Sequence, residues 1–177
     1  MTPSSCILMA EYNRWMNTRL YEAAARLTEP QLFEDRGAFF GSLFDTLNHI
    51  AVADTIWLHR FATLPGLDWL KHRMGAFPRP GSLTERLAQS LEQLRAYRDD
   101  VDAVISEFAG RVTEGQLADT LRYTTTAGKE QAKPLGPLLQ HYFNHQTHHR
   151  GQATTLLFQA GVDVGVTDLA AIIPSET

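Results

Sequence analysis

Four histidines lie close together in the last third of the chain: His141, His145, His148 and His149. An imidazole can bind a metal ion or move a proton near neutral pH. On a helix, residues four apart lie nearly above one another, so His145 and His149 can direct their rings at one point. This His-x-x-x-His spacing is typical of metal sites on helices.

The neighbouring residues predict that this helix buries the pair His145 and His149, with His141 and His148 on its flank. The apolar stripe that contains the pair also includes Leu138, Tyr142, Ala153, Leu156 and Ala160. Buried imidazoles are costly unless their nitrogens find partners. A metal ion is one such partner, and other side chains or water are the alternative. The spacing alone leaves both interpretations open.

A metal ion with two histidine ligands needs a third ligand, which we expect from another helix. His49 is the best candidate, because it lies at the edge of the apolar arc of the second predicted helix. His59 lies on the far side of that helix and His72 lies in a basic loop, so both are expected to face solvent. Asp54 falls within the apolar arc, where we expect a buried hydrogen-bonding or interface role rather than metal ligation.

Three further polar residues are candidates for contacts around this site. Asp45, four residues before His49, can accept a hydrogen bond from its ring. Gln152, three residues after His149, can contact water, ligand or substrate, and Tyr142 can donate a hydrogen bond from the same stripe. Each has a structural alternative: Asp45 as a solvated charge at a helix start, Gln152 as packing and Tyr142 as core.

The elements that position these residues are four amphipathic helices. The predicted helices cover residues 8–27, 42–63, 82–108 and 137–160. The third begins with a capping box formed by Ser82 and Glu85. Because each helix must bury its apolar stripe against the others, we predict an all-α fold, a four-helix bundle. No repeat or linker divides the chain, so a single domain is expected over residues 1–177.

The connections between the predicted helices are long. Residues 64–81 are rich in proline and glycine and too long for a tight helical hairpin, which predicts a crossover or a lid. Residues 111–136 contain the β-prone run Leu121–Thr126, followed by the turn signal Ala127-Gly128. This pattern predicts a small β-hairpin at one end of the bundle.

Composition excludes several classes of protein. The net charge of −4 disfavours nucleic-acid binding, and no apolar run approaches the roughly 20 residues of a membrane span. Cys6 is the only cysteine, so an intrachain disulfide is impossible. The first residues carry no basic segment typical of a signal peptide. We therefore expect a cytoplasmic protein that binds neither nucleic acid nor membrane.

Three segments resemble the DinB family, the DinB/YfiT-like metalloenzymes. They are Tyr12–Asn17, the run from Ser42 through Asn48-His49-Ile50 and Asp54 to Trp57, and His145–Gln152. The resemblance implies a four-helix bundle of up-down-down-up topology, usually dimeric, in which three histidines hold a divalent metal ion. By motif position the ligands are His49, His145 and His149, and zinc or nickel is the expected ion in purified protein.

Three histidine ligands leave a coordination position open, as catalytic sites do. Such an ion lowers the pKa of a water molecule, which suits a hydrolase, or of a thiol, which suits a transferase. The family that this chain resembles includes bacillithiol transferases and mycothiol-dependent maleylpyruvate isomerases. We therefore expect a small-molecule substrate and a low-molecular-weight thiol as the partner. A non-enzymatic protein of the stress response that binds a metal or ligand remains the alternative.

Three bulky aromatic residues, Trp15, Trp57 and Phe61, exceed what one small bundle needs to bury. Aromatic residues are enriched in interface cores. Together with the resemblance, they predict a homodimer.

Overall fold

Seven α-helices and one two-stranded sheet make up residues 1–175, the part of the chain that the computed structural model describes. In chain order they are α1 (Pro3–Ala24), α2 (Glu29–Phe33), α3 (Leu43–Phe61), α4 (Asp68–Met74), α5 (Leu91–Arg111), α6 (Glu114–Ala118), β1 (Thr120–Thr124), β2 (Glu130–Pro134) and α7 (Leu135–Gln159). A short 3-10 helix, Leu169–Ile172, follows. The last two residues of the predicted domain, 176 and 177, lie outside the described residues.

The four long helices bury their apolar stripes against one another. Both α1 and α3 contact α5 and α7, so each long helix packs on two others. One part of the core surrounds Phe61 and Phe108, and the other surrounds Leu20 and Phe44. The predicted all-α fold is therefore confirmed as a mostly helical protein with one small sheet.

The third predicted helix begins later than the sequence pattern indicates. The prediction that Ser82 and Glu85 form its capping box is wrong, because α5 begins at Leu91 with Ser90 as its N-cap. The Glu85 carboxylate instead accepts a hydrogen bond from the amide of Gly81, at 2.7 Å. Side chains of α3 bind backbone groups of residues 83–87, and these contacts hold the segment in a loop.

The two long connections contain structure of their own. The predicted hairpin is present, with β1 and β2 antiparallel and Thr124 opposite Glu130. Residues 64–81 contain α4, which the sequence reasoning did not predict. Leu70 and Met74 anchor α4, and both are buried in the core. Among residues 1–175 no helix is both long and apolar enough to cross a bilayer.

A buried network of charged and amide side chains crosses the core. Arg98 of α5 donates from Nη1 to Asp54 Oδ2 of α3 at 2.6 Å. Its Nη2 lies 2.9 Å from Asp102 Oδ1. Asp102 also accepts hydrogen bonds at 3.0 Å from the side-chain amides of Asn13 and Asn17 on α1. Arg150 of α7 completes the network by donating to Asn13 Oδ1.

This network, called the Arg98 network below, contains two aspartates and two arginines, so its formal charges balance. It joins all four long helices at their centre. Asp54 therefore has the buried hydrogen-bonding role that the sequence predicts.

The surroundings of His59 and of the large aromatics differ from expectation. His59 is buried rather than solvated, with its Nε2 2.8 Å from the carbonyl oxygen of Pro78, because residues 75–90 cover that side of α3. His72 is exposed, as expected.

Trp57 and Phe61 are buried within the chain and Trp15 is half-buried. Two of the three aromatics behind the homodimer prediction are therefore covered without a partner.

Replacing Arg98 by Met should destabilise the protein by about 3–5 kcal/mol, because Asp54 and Asp102 would be left as buried charges without their cation. Urea denaturation followed by circular dichroism measures this loss. The control is Arg95→Ala, a half-buried arginine of the same helix that lies 3.9 Å from Glu22. The control should change stability by less than about 0.5 kcal/mol. Equal stability of the two variants would contradict the role of the network.

Candidate metal centre

Three histidines from two helices converge at one end of the α3–α7 contact. One possible ligand atom each from His49, His145 and His149 lies within 4.8 Å of the other two. The Nε2 atoms of His145 and His149 are 3.1 Å apart. The ring centroid of His49 lies 4.6 Å from that of His149 and 5.3 Å from that of His145. This group is referred to below as the histidine triad.

Local structure explains the convergence. The four-residue step between His145 and His149 places both rings on the side of α7 that meets α3. His49 occupies the second turn of α3, whose start is fixed by Ser42, the N-cap that accepts from the Asp45 amide at 3.0 Å. Because α3 and α7 pack directly against each other, His49 reaches the pair on α7.

Two of the triad rings are oriented through their outer nitrogens. His49 Nδ1 lies 3.0 Å from the carbonyl oxygen of Leu83, and His149 Nδ1 lies 2.7 Å from Gln152 Oε1. Both partners are acceptors, so each Nδ1 carries the hydrogen and each Nε2 keeps its lone pair. This arrangement is the one that metal-binding histidines generally show.

The loop that supplies the Leu83 carbonyl is itself fixed by α3. Asn48 donates to the carbonyl oxygen of Glu85 at 2.8 Å and accepts from the amide of Leu87 at 2.9 Å. Arg86 lies 2.9 Å from the Asp45 carboxylate. Asn48 and Asp45 of α3 therefore hold the loop in place, and the loop in turn orients the ring of His49.

The three polar candidates from the sequence lie in different places. Gln152 is beside the triad, in contact with His149. Asp45 is not the partner of His49; its carboxylate accepts from the Ser42 hydroxyl at 2.7 Å and pairs with Arg86, as a helix-start charge would. Tyr142 is buried in the core, and burial raises the pKa of its hydroxyl well above the usual value.

Phe40 is a site residue that sequence reasoning missed. Its ring stacks on His49 at a centroid distance of 3.9 Å and meets the edge of His149 at 5.5 Å. Phe40 lies in the connection before α3, where there is no helical or strand periodicity to predict its direction. Gly37 and Gly41 on either side of it, with positive φ angles of 67° and 76°, are local signs that the chain turns here.

The triad is neutral at physiological pH. Burial lowers the pKa of His49 and of His149. The pKa of His145 falls to about 3, chiefly through burial and further through the neighbouring histidines. Neutral imidazoles are the form that binds metal ions.

The donor set therefore fits a divalent ion. Two nitrogens that each bind tetrahedral zinc at about 2.0–2.1 Å lie about 3.3 Å apart, close to the 3.1 Å between His145 and His149. Imidazole suits zinc, copper, iron and nickel. Three protein ligands leave a further position for a small molecule, as catalytic zinc sites do.

The mostly helical fold and the three converging histidines define the class of this protein: a helical protein with a candidate metal site. The family model of the DinB family matches residues 1–176, and the chain belongs to that family. It is similar to Protein DinB of Bacillus subtilis (strain 168), with 24% identity over 163 residues. That alignment covers 89% of this chain and 87% of the relative.

The low pKa of His145 predicts how the stability of the metal-free protein depends on pH. At about pH 8 and above, His145 is neutral in both the folded and the unfolded chain, because the usual pKa of a histidine is about 6.5. As the pH falls from there toward 3, the unfolded chain takes up a proton that the folded chain does not, so stability decreases. Denaturation of wild type and His145→Gln at several pH values isolates this effect. The variant should lose less stability than wild type between pH 6.5 and pH 4; parallel curves would contradict the prediction.

Proposed function

We propose that this protein binds one divalent metal ion per chain through His49, His145 and His149, and uses it for chemistry on a small molecule. The observation that carries the proposal is the orientation of the triad: two outer nitrogens donate to Leu83 and Gln152, so their Nε2 atoms are free for an ion. Zinc or nickel suits this donor set. We further propose the up-down-down-up four-helix bundle and the homodimer that the family resemblance implies.

Of the two candidate reactions we place thiol transfer ahead of hydrolysis. A divalent ion supplies a Lewis acid that lowers the pKa of a thiol or a water molecule. A hydrolase also needs a side chain that moves protons, and Asp45, the carboxylate nearest His49 in sequence, is engaged by Ser42 and Arg86. A thiol, with a usual pKa of about 8.5, needs less help to ionise than water does.

In the proposed reaction the sulfur of a low-molecular-weight thiol forms a bond to an electrophilic carbon of the second substrate. The leaving group takes the electron pair of the bond that breaks, and the thiol proton passes to solvent. The chain contributes the orientation of the triad and an apolar wall. Phe40 covers one face of His49, and Phe39 beside it is 85% exposed, which leaves apolar surface for a substrate.

The alternative is a non-enzymatic metal- or ligand-binding protein that acts in a stress response. One observation favours it: the carboxylate expected to assist the triad is held by other partners. An activity assay separates the two proposals.

Single alanine substitutions of His49, His145 or His149 should each remove most of the metal from protein purified without a histidine tag, because each deletes one of only three ligands. Replacing a group that only hydrogen-bonds to a metal ligand already weakens metal binding by typically about 10–100-fold. Elemental analysis of the purified protein measures the metal-to-chain ratio. His72→Ala is the matched control, since His72 is exposed on α4, and it should keep the wild-type ratio. Full occupancy in the His49 variant would exclude the three-ligand site.

The reaction class is tested with metal-loaded protein, several low-molecular-weight thiols and a reactive electrophile. We expect wild type to accelerate loss of the thiol and His149→Ala to fall to the rate without protein. Cleavage of esters or amides without thiol transfer would reverse the order of the two enzyme proposals. Tight metal binding with neither activity would favour the non-enzymatic alternative.

A further inference from the structure

A cavity lies further along the α3 helix that carries His49. It has a volume of about 340 Å³ and is bounded by the last turns of α3, the segment 79–81 and the hairpin strand β1 with its turn. Three arginines line it, Arg60, Arg79 and Arg122, and no acidic side chain does. This volume is at the lower end of the range for small-molecule sites.

The cavity lies on the same stripe of α3 as His49. With 3.6 residues per turn, Ile56 and Arg60 lie within about 20° of His49 around the helix axis. Arg60 is about 16 Å from His49 along that axis. Ala53, a small side chain, lies between them on this stripe. His49 near the start of α3 and the cavity residues Ile56 and Arg60 near its end therefore lie on the same side of this helix.

The loop between α4 and α5 also connects the cavity with the histidine triad. Gly81 lines the cavity, and Leu83 contacts His49 through its carbonyl oxygen. The Cα atoms of two residues so close in sequence are at most about 7 Å apart. On the other side, Trp57 packs against Tyr123 of the cavity wall and against His141. His141 in turn lies 6.0 Å from His145, ring to ring.

Arg60 is positioned without being neutralised. Its guanidinium lies 4.7 Å from the Trp57 ring and 5.0 Å from the Tyr123 ring. Its Nη2 donates to the carbonyl oxygen of Thr124 at 3.0 Å. Among residues 1–175, neither Arg60 nor the two other cavity arginines makes a salt bridge. A rigid guanidinium with unused N–H groups is well suited to a carboxylate or a phosphate.

We propose that this cavity is an anion subsite: Arg60, Arg79 and Arg122 bind a carboxylate or phosphate group of the substrate whose reactive atom lies at the histidine triad. The inference rests on the proposed function for the position of that reactive atom. The substrate it defines is an anionic small molecule about 10–16 Å long, from the helical distance between Ile56 or Arg60 and His49.

Calorimetric titration of the purified protein with succinate and with inorganic phosphate tests the subsite directly. The test variant is the double substitution Arg79→Gln and Arg122→Gln, since both side chains are exposed and can be replaced without disturbing the core. The control is Arg95→Gln, a half-buried arginine of α5 that does not line the cavity. We expect millimolar binding to wild type and control, and binding weaker by about tenfold or more in the double variant. The stronger of the two probes identifies the preferred anion.

Equal binding to wild type and double variant would overturn the proposal, as would no binding of either anion up to about 10 mM. The metal content of the same preparations separates this result from the proposed function. If both proteins contain one metal ion per chain and the double variant binds anions as wild type does, the anion subsite is wrong and the proposed metal site is retained. Arginine-dependent anion binding in a protein without metal means that the metal site is wrong.

The link to the triad is tested with an electrophile that carries a carboxylate and with its neutral amide, in the thiol assay. Wild type should show the lower KM for the acid. The double variant should lose this preference and show similar KM values for the acid and the amide. An unchanged preference would contradict the link, and if no turnover occurs the calorimetric result decides the subsite alone.

Discussion

The fold depends on keeping the buried charges of the Arg98 network paired. Charges in a core are tolerated only when each has a partner with good geometry, and here the partners come from all four long helices. Asp54 is on the helix that carries His49, and Arg150 directly follows His149. The network connects α3 to α7 by way of α5 and α1, through Arg98, Asp102 and Asn13. It therefore helps to fix the relative position of the two helices that carry the histidine triad.

The loop between α4 and α5 is the second constraint, and it ties structure to chemistry. Asn48 fixes its backbone, and the Leu83 carbonyl then fixes the tautomer of His49. The same loop contributes Arg79 and Gly81 to the basic cavity. One segment without helix or strand thus orients a triad ring and bounds the proposed anion subsite. Its covering position also explains why His59 is buried.

Sequence periodicity predicted the long helices well because each has one apolar stripe that must face the core. It failed at residues 82–90, where a capping-box pattern and leucines at helical spacing favour a helix that the structure does not form. Long-range hydrogen bonds from Asn48 to this segment outweigh the local preference, and no local pattern encodes them. Phe40 was missed for a similar reason, since a loop gives no rule for where a side chain points.

The sequence by itself determined the donor types and the spacing of His145 and His149, because one helix fixes the geometry of residues four apart. It also placed Gln152 beside His149 by the same rule. Only the tertiary structure decided that His49 meets this pair, that Leu83 rather than Asp45 receives its Nδ1 hydrogen, and that Tyr142 belongs to the core. Those outcomes depend on contacts between different segments, which are set by packing and by the pairing of buried charges rather than by helical periodicity.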